Sequence, residues 1–461
     1  MTEPAAEPAP DAVGAGAGAD AGAGAGAGAA ASTTGGASLD RRLGLGDAVV
    51  IGLAAMIGAG IFSALAPAAG AAGPLLLVAL LVAAVVAFAN AASSAQLAAQ
   101  YPSAGGTYVY GRERLGEWWG FAAGWCFVIG KTASCAAMAL AFAAYAVPPE
   151  WAKPVAALAV VALVVVNSFG ITRTARLARV LVTAVLVVLA VVAASGAVPL
   201  LVTGAASGAC ASVAHPGADD VGLYGVLQGA GLLFFAFAGY ARIATLGEEV
   251  REPARTIPRA IAVSFAIALV LYAVIAGVAL GALTPAGLAA SVDPLAATVT
   301  ANGWPWAAPL VRVGAALACL GALLALVAGV GRTTLAMARE GDLPRALAAV
   351  HPRYRVPRRA ELVLGVVVVL LVPTVDLRGA IGFSSFGVLL YYFVANVAAF
   401  TQTPDARRYP RWLALVGVAG CVVLVVTLPV GAVLAGVVVV GAGLVGRAVV
   451  LGVRRQRRGA A

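Results

Sequence analysis

From residue 39 onward the chain alternates long apolar runs with short polar connections. A helix needs about 20 predominantly apolar residues to cross the hydrocarbon core of a bilayer. Runs of roughly that kind occur near 47–70, 74–99, 119–146, 154–170, 178–202, 224–246, 259–282, 308–331, 361–373, 379–401, 411–428 and 431–451. The ninth is short, and the last two are parted only by Leu428-Pro429-Val430-Gly431. The pattern predicts an all-α polytopic membrane protein of about twelve spans, with a transmembrane domain over 39–452 and a basic tail over 453–461.

Two of these runs are interrupted at corresponding places in the two halves: Ile57-Gly58-Ala59-Gly60-Ile61-Phe62 in the first and Phe235-Ala236-Phe237-Ala238-Gly239-Tyr240 in the sixth. Non-helical backbone at membrane depth is tolerated only where it is buried in protein or lines a cavity. A matched pair of such breaks points to the substrate site of a transporter. The alternative for Gly58 and Gly60 is close helix packing through small residues.

Composition strengthens the membrane reading. Hydrophobic residues are 62% of 461 and charged residues 11%, with a mean hydropathy of +0.98, far above a soluble globular chain. The net charge of +10 could suggest nucleic acid as a partner, but its distribution argues for topology instead. With the N-terminus placed in the cytoplasm, twenty-four of the 30 basic residues fall in cytoplasmic segments, and the outer loops keep only Lys153 and Arg378. This positive-inside bias predicts a multi-pass protein of the cytoplasmic membrane with both termini in the cytoplasm, and no nucleic-acid partner. Residues 1–38 are Ala-Gly repeats with too little apolar bulk to offset the entropy of ordering, which predicts a disordered tail. The five cysteines show no disulfide or metal spacing, so neither a metal nor another cofactor is expected.

Specific motifs sit in the connections. Pro102-Ser103-Ala104-Gly105-Gly106-Thr107-Tyr108 follows span 2, Glu248-Glu249 with Pro253, Arg255 and Ile257-Pro258-Arg259 follows span 6, and Arg339-Glu340-Gly341-Asp342-Leu343-Pro344 follows span 8. Together with Gly58-Ala59-Gly60-Ile61-Phe62, this ordered set resembles the amino acid–polyamine–organocation superfamily of permeases, over about 39–450. The resemblance implies a five-plus-five inverted repeat with discontinuous helices 1 and 6, two appended helices, and an amino acid as the usual solute. It also places the unwound segments at Gly58–Gly60 and Phe235–Gly239, with Phe235 where the family often has an aromatic that closes over the substrate.

The chemistry of such breaks suits a zwitterion. Amides at the start of one half-helix fit a carboxylate near Gly58, Ala59 and Gly60, while freed carbonyls near Ile57 and over Phe235, Ala236, Phe237 and Ala238 fit an ammonium. The candidate binding residues are therefore Ile57, Gly58, Ala59, Gly60, Ile61, Phe235, Ala236, Phe237, Ala238 and Gly239.

Lys131 is the sole lysine inside a span, and a charge at that depth reads by default as functional. It is the candidate for proton coupling or for a fixed charge in place of a cation, the alternative being a structural lysine that pairs with carbonyls. Some members of the family carry a lysine in span 5 for such a role, whereas Val180–Ala194 here has none. Span 8 offers no hydroxyl ligand for sodium before Thr333 and Thr334, which favours proton symport or exchange. Gln96 stands where the family commonly has Glu, and Ala241 where acid-sensing antiporters have Glu. Glu248 and Glu249 are candidate cytoplasmic gates, or else ends that neutralise Arg242 or Arg251.

The pocket-facing spans show no acidic residue, so a neutral amino acid is expected ahead of a cationic one, with an exchanger or an amine or polyamine transporter as the alternative. Membrane lipid is the surrounding partner. An enzyme is not expected, since His215 and His351 lie in loops on opposite sides, and no soluble signalling domain supports a sensor.

Overall fold

A peptide group in hydrocarbon has no water to bond, so each span must close its own backbone hydrogen bonds. The structure, a computed structural model, describes residues 43–459 apart from 59, 103–104, 170–174, 204–220, 247–248 and 355. The expected tail over 1–38, Ala59, Cys210 and Glu248 lie outside the described residues.

Span 1 is built from Leu45–Ile57, Gly60–Ser63 and Leu65–Ala72, and span 2 is Leu76–Gln100. Glu117–Ala146, Ala152–Ser168 and Ala175–Thr203 form spans 3 to 5. Span 6 is Leu223–Phe237 continued by Ala241–Ala244, and span 7 is Pro253–Ala282. Spans 8 to 12 are Ala308–Arg339, Arg358–Leu371, Leu377–Phe400, Arg411–Thr427 and Val430–Gly459. Ten of these are long and apolar enough to cross a membrane, and spans 9 and 11 are shorter at 14 and 17 residues. Span 8 runs two turns beyond the expected 331, and the basic segment from 453 begins as the last turns of span 12.

The packing has the internal symmetry expected of an inverted repeat. Span 1 packs on span 7 and its counterpart span 6 packs on span 2; span 3 packs on span 10 as span 8 packs on span 5; and spans 3 and 8 pack on each other. Helices surrounded by lipid associate through close packing rather than a hydrophobic gradient, so small residues fill the contacts. Ala83, Ala87 and Ala91 of span 2 are buried at four-residue spacing, while Leu81, Val270, Val366 and Val438 point outward.

The motifs that follow spans 2 and 8 form a hub with spans 3, 10 and 12 at the arginine-rich end. Gly106 has a positive φ of 55°, which turns the chain into the short helix Thr107–Leu115, and the Thr107 amide donates to the Tyr391 hydroxyl at 3.1 Å. Asp342, just past span 8, accepts from the Tyr108 hydroxyl at 2.9 Å and from Arg112 at 3.2 Å. Burial, reinforced by the Asp342 carboxylate, pushes the Tyr108 phenol up, so it stays protonated and donates. Arg447 of span 12 approaches the other carboxylate oxygen at 2.7 Å, off the N–H axis, and lies 4.7 Å over the Phe121 ring.

Candidate functional site

The two interrupted helices cross each other at backbone distance. A Cβ on Gly60 would overlap Ala236 of span 6, and one on Gly239 would come within 2.5 Å of the Met56 amide and overlap Ala55. At Gly58 the tightest approach is within span 1 itself, where a Cβ would lie 2.6 Å from the Ala54 oxygen, while Ala322 Cβ of span 8 would be 3.1 Å away. Glycine at Gly60 and Gly239 is thus required by packing, the alternative weighed for Gly60, and that packing is what sets the two breaks side by side.

The break in span 6 is narrower than the sequence suggested. The helix continues through Phe237 and then tightens into a 3₁₀ turn over Ala238–Tyr240 before resuming at Ala241. Phe235, Ala236 and Phe237 therefore end the first half-helix rather than lying in unwound chain.

Beside the crossing lies a cavity of about 100 Å³ between spans 1, 3, 6 and 8. Span 3 contributes Phe127, Lys131, Ser134 and Met138, whose spacing of four, three and four residues places them on one helix face. Of the sequence-predicted binding residues, Gly60, Phe235, Ala238 and Gly239 line the cavity. Ile57, Gly58, Ile61, Ala236 and Phe237 are not in its lining: Ile57 and Ile61 are core residues, and Phe237 packs on Phe265 and Tyr272 with ring centroids 5.4 and 5.1 Å away. They shape the site from behind.

The freed carbonyls of both breaks are met by donors from other spans. The Tyr272 hydroxyl of span 7 lies 2.7 Å from the Met56 oxygen and 3.0 Å from the Ala236 oxygen, one proton serving two acceptors. Tyr145 donates to the Phe62 oxygen at 3.1 Å and Tyr392 to the Ala238 oxygen at 3.3 Å. Lys131, 8% exposed, reaches the same Ala238 oxygen at 3.5 Å. An ammonium fixed to the protein thus stands at the span 6 break, and among the described residues it has no carboxylate partner.

The end of the cavity toward Thr245 and Thr333 is basic. Arg242 and Arg332 line it, and Glu249 pairs with Arg332 at 3.7 Å rather than with Arg242 or Arg251. Arg312, at the far end of span 8, is held by Asp293 at 2.7 Å. No group of three or more potential metal ligands occurs among the described residues.

Sequence reasoning had no means of selecting the three tyrosines. Unpaired carbonyls demand donors, but which span supplies them is decided by packing. Ser134, which shares a 2.6 Å hydrogen bond with Ser384 of span 10, was visible as one residue of the span 3 face. Arg242 carried the same signal as Lys131, a charge within a span.

Two interrupted helices crossing beside a cavity, inside a repeat-built bundle of apolar helices, define a multi-pass membrane transporter. The chain matches the amino acid permease family over residues 43–452 and belongs to it. It is 58% identical over 412 residues to an uncharacterized transporter of Mycobacterium tuberculosis, covering 88% of this chain and 90% of the relative. It is 26% identical over 411 residues to a branched-chain amino acid permease of Bacillus subtilis, covering 82% and 84% of the two chains. A chloroplastic cationic amino acid transporter of Arabidopsis thaliana is 28% identical over 403 residues, covering 81% of this chain and 66% of the plant protein.

Proposed function

We propose that the protein carries an amino acid without net positive charge across the cytoplasmic membrane by alternating access, with both termini in the cytoplasm and Lys131 coupling transport to protons. The observation that carries this reading is the Lys131 ammonium placed at the Ala238 carbonyl, inside the cavity and beside the crossing of the two breaks. Charging and discharging this amine changes the affinity of the span 6 break for a donor, which links the proton to the substrate site.

The cavity chemistry also bears on substrate charge. The plant relative is named for cationic substrates and the Bacillus relative for branched-chain ones. Lys131, Arg242 and Arg332 line this cavity with no acidic side chain among its described lining, which favours a solute that brings no further positive charge. The α-carboxylate would take the amides that follow the span 1 break, and Phe235 would cover the bound molecule. Arg332 and Glu249 are the gate pair at the arginine-rich end, with Glu248 as a second acidic candidate.

Uptake of a panel of labelled amino acids into vesicles containing the purified protein, with and without an inward proton gradient, tests the reading. Accumulation of at least one amino acid only when the gradient is present is the expected result. Equal uptake with and without the gradient removes proton coupling, and no uptake of any of the panel removes the substrate class.

A further inference from the structure

Arg242 is the least accounted-for charge of the cavity. It sits on the short half of span 6, partly buried on the cavity wall, and none of the described residues gives its guanidinium a hydrogen bond or an ion pair. Its neighbours make the imbalance larger. Arg332 and Glu249 act on it through space, but that carboxylate is already paired with Arg332 at 3.7 Å. Two guanidiniums therefore share one described carboxylate at this end of the cavity, and the Lys131 ammonium stands at Ala238, four residues back along span 6.

A guanidinium partly withdrawn from water with only a shared counter-charge costs folding free energy, and low-dielectric walls concentrate its field on whatever enters the space. Arginine is also the side chain whose planar fork matches a carboxylate. Resting on the amino acid transport reading above, we infer that the transported amino acid carries a second carboxylate, and that Arg242 binds it. The substrate class is thus the acidic amino acids. In this arrangement the α-carboxylate stays with the span 1 amides, and the side-chain carboxylate extends along span 6 toward Arg242, with Arg332 adding to the attraction. The same three bases repel lysine and arginine, so the site discriminates by charge before it discriminates by shape.

The test uses the full-length protein in vesicles of phosphatidylethanolamine and phosphatidylglycerol, with labelled L-glutamate, L-aspartate, L-leucine and L-lysine as probes. Glutamate or aspartate is expected to be taken up with an apparent affinity roughly tenfold or more above leucine, as one charge-assisted contact implies, with lysine weakest. Arg242→Gln is expected to lose that advantage, and Arg242→Lys to recover part of it. Because the wild-type preference alone decides the substrate class, a poorly folding variant leaves the test intact. Preference for leucine or lysine over both acidic amino acids overturns this inference while leaving amino acid transport standing. Wild-type affinity for glutamate in a folded Arg242→Gln protein removes Arg242 as the binding residue. Failure to move any of the four, or any other amino acid, overturns the transport reading itself.

Discussion

Replacing Asp342 with alanine should loosen the arginine-rich end of the bundle more than any other single carboxylate removal there. The side chain is 7% exposed and holds Arg447, itself 4% exposed, together with Arg112 and the Tyr108 hydroxyl. Arg112 keeps Glu340 at 3.5 Å and Glu117 at 3.7 Å after the change, and its 21% exposure lets water help, so its loss is small. Arg447 is left over the Trp118 and Phe121 rings with only the 3.6 Å approach of the exposed Glu117. Breaking a buried pair by removing one partner costs about 3–5 kcal/mol, so Asp342→Ala is expected to cost on the order of 3 kcal/mol. In a chain of this size that lowers the thermal unfolding midpoint by roughly 3 °C. Thermal unfolding of the detergent-solubilised protein measures it, with Asp342→Ala/Arg447→Met as the companion variant. Since the penalty comes from the stranded guanidinium, the double variant should recover at least half of the loss. A wild-type midpoint for Asp342→Ala, or a double variant no better than the sum of its parts, would refute the account.

Three further outcomes follow from the geometry. Gly60→Leu should abolish transport and also lower thermal stability by about 3 kcal/mol or more, because the side chain must displace span 6 backbone at Ala236; a stable, transport-competent variant would contradict the crossing. Lys131→Ala should make uptake independent of pH while substrate still binds, measured by accumulation across a pH series, and an unchanged wild-type profile would make Lys131 structural. A membrane-impermeant thiol reagent should label Cys210 on intact cells, and a cysteine introduced by Arg355→Cys only after permeabilisation; the reverse pattern inverts the topology.

How much of this was legible in the sequence depends on whether the information is local. Long apolar runs and paired glycine-rich interruptions are local, so the twelve helices and the two discontinuous ones could be read directly. Even the short ninth span, Arg358–Leu371, was visible. The end of span 8 was not, because Arg332, Thr333 and Arg339 look like a loop to a hydropathy count but continue as helix once the chain leaves the apolar zone. Pairings across spans were the least legible. Glu249 was read against Arg242 and Arg251, its neighbours in sequence, and only the fold selects Arg332. Gly60 and Gly239 were read as candidate binding residues, with close packing as the alternative for Gly60; both line the cavity, and the fold adds that each also lies against the opposite broken helix. Ala59 and Glu248, both expected at the site, remain expectations.

That backbone-on-backbone crossing ties the two broken helices to each other. Side chains between two moving bodies can swap rotamers and let the bodies slide, whereas peptide planes in direct contact have no such freedom. At Gly60 against Ala236, and at Gly239 against Ala55 and Met56, a shift of either helix toward the other meets an immediate steric wall. Displacement of either broken helix toward its partner is therefore passed directly to the other, so the two sides of the crossing keep their spacing.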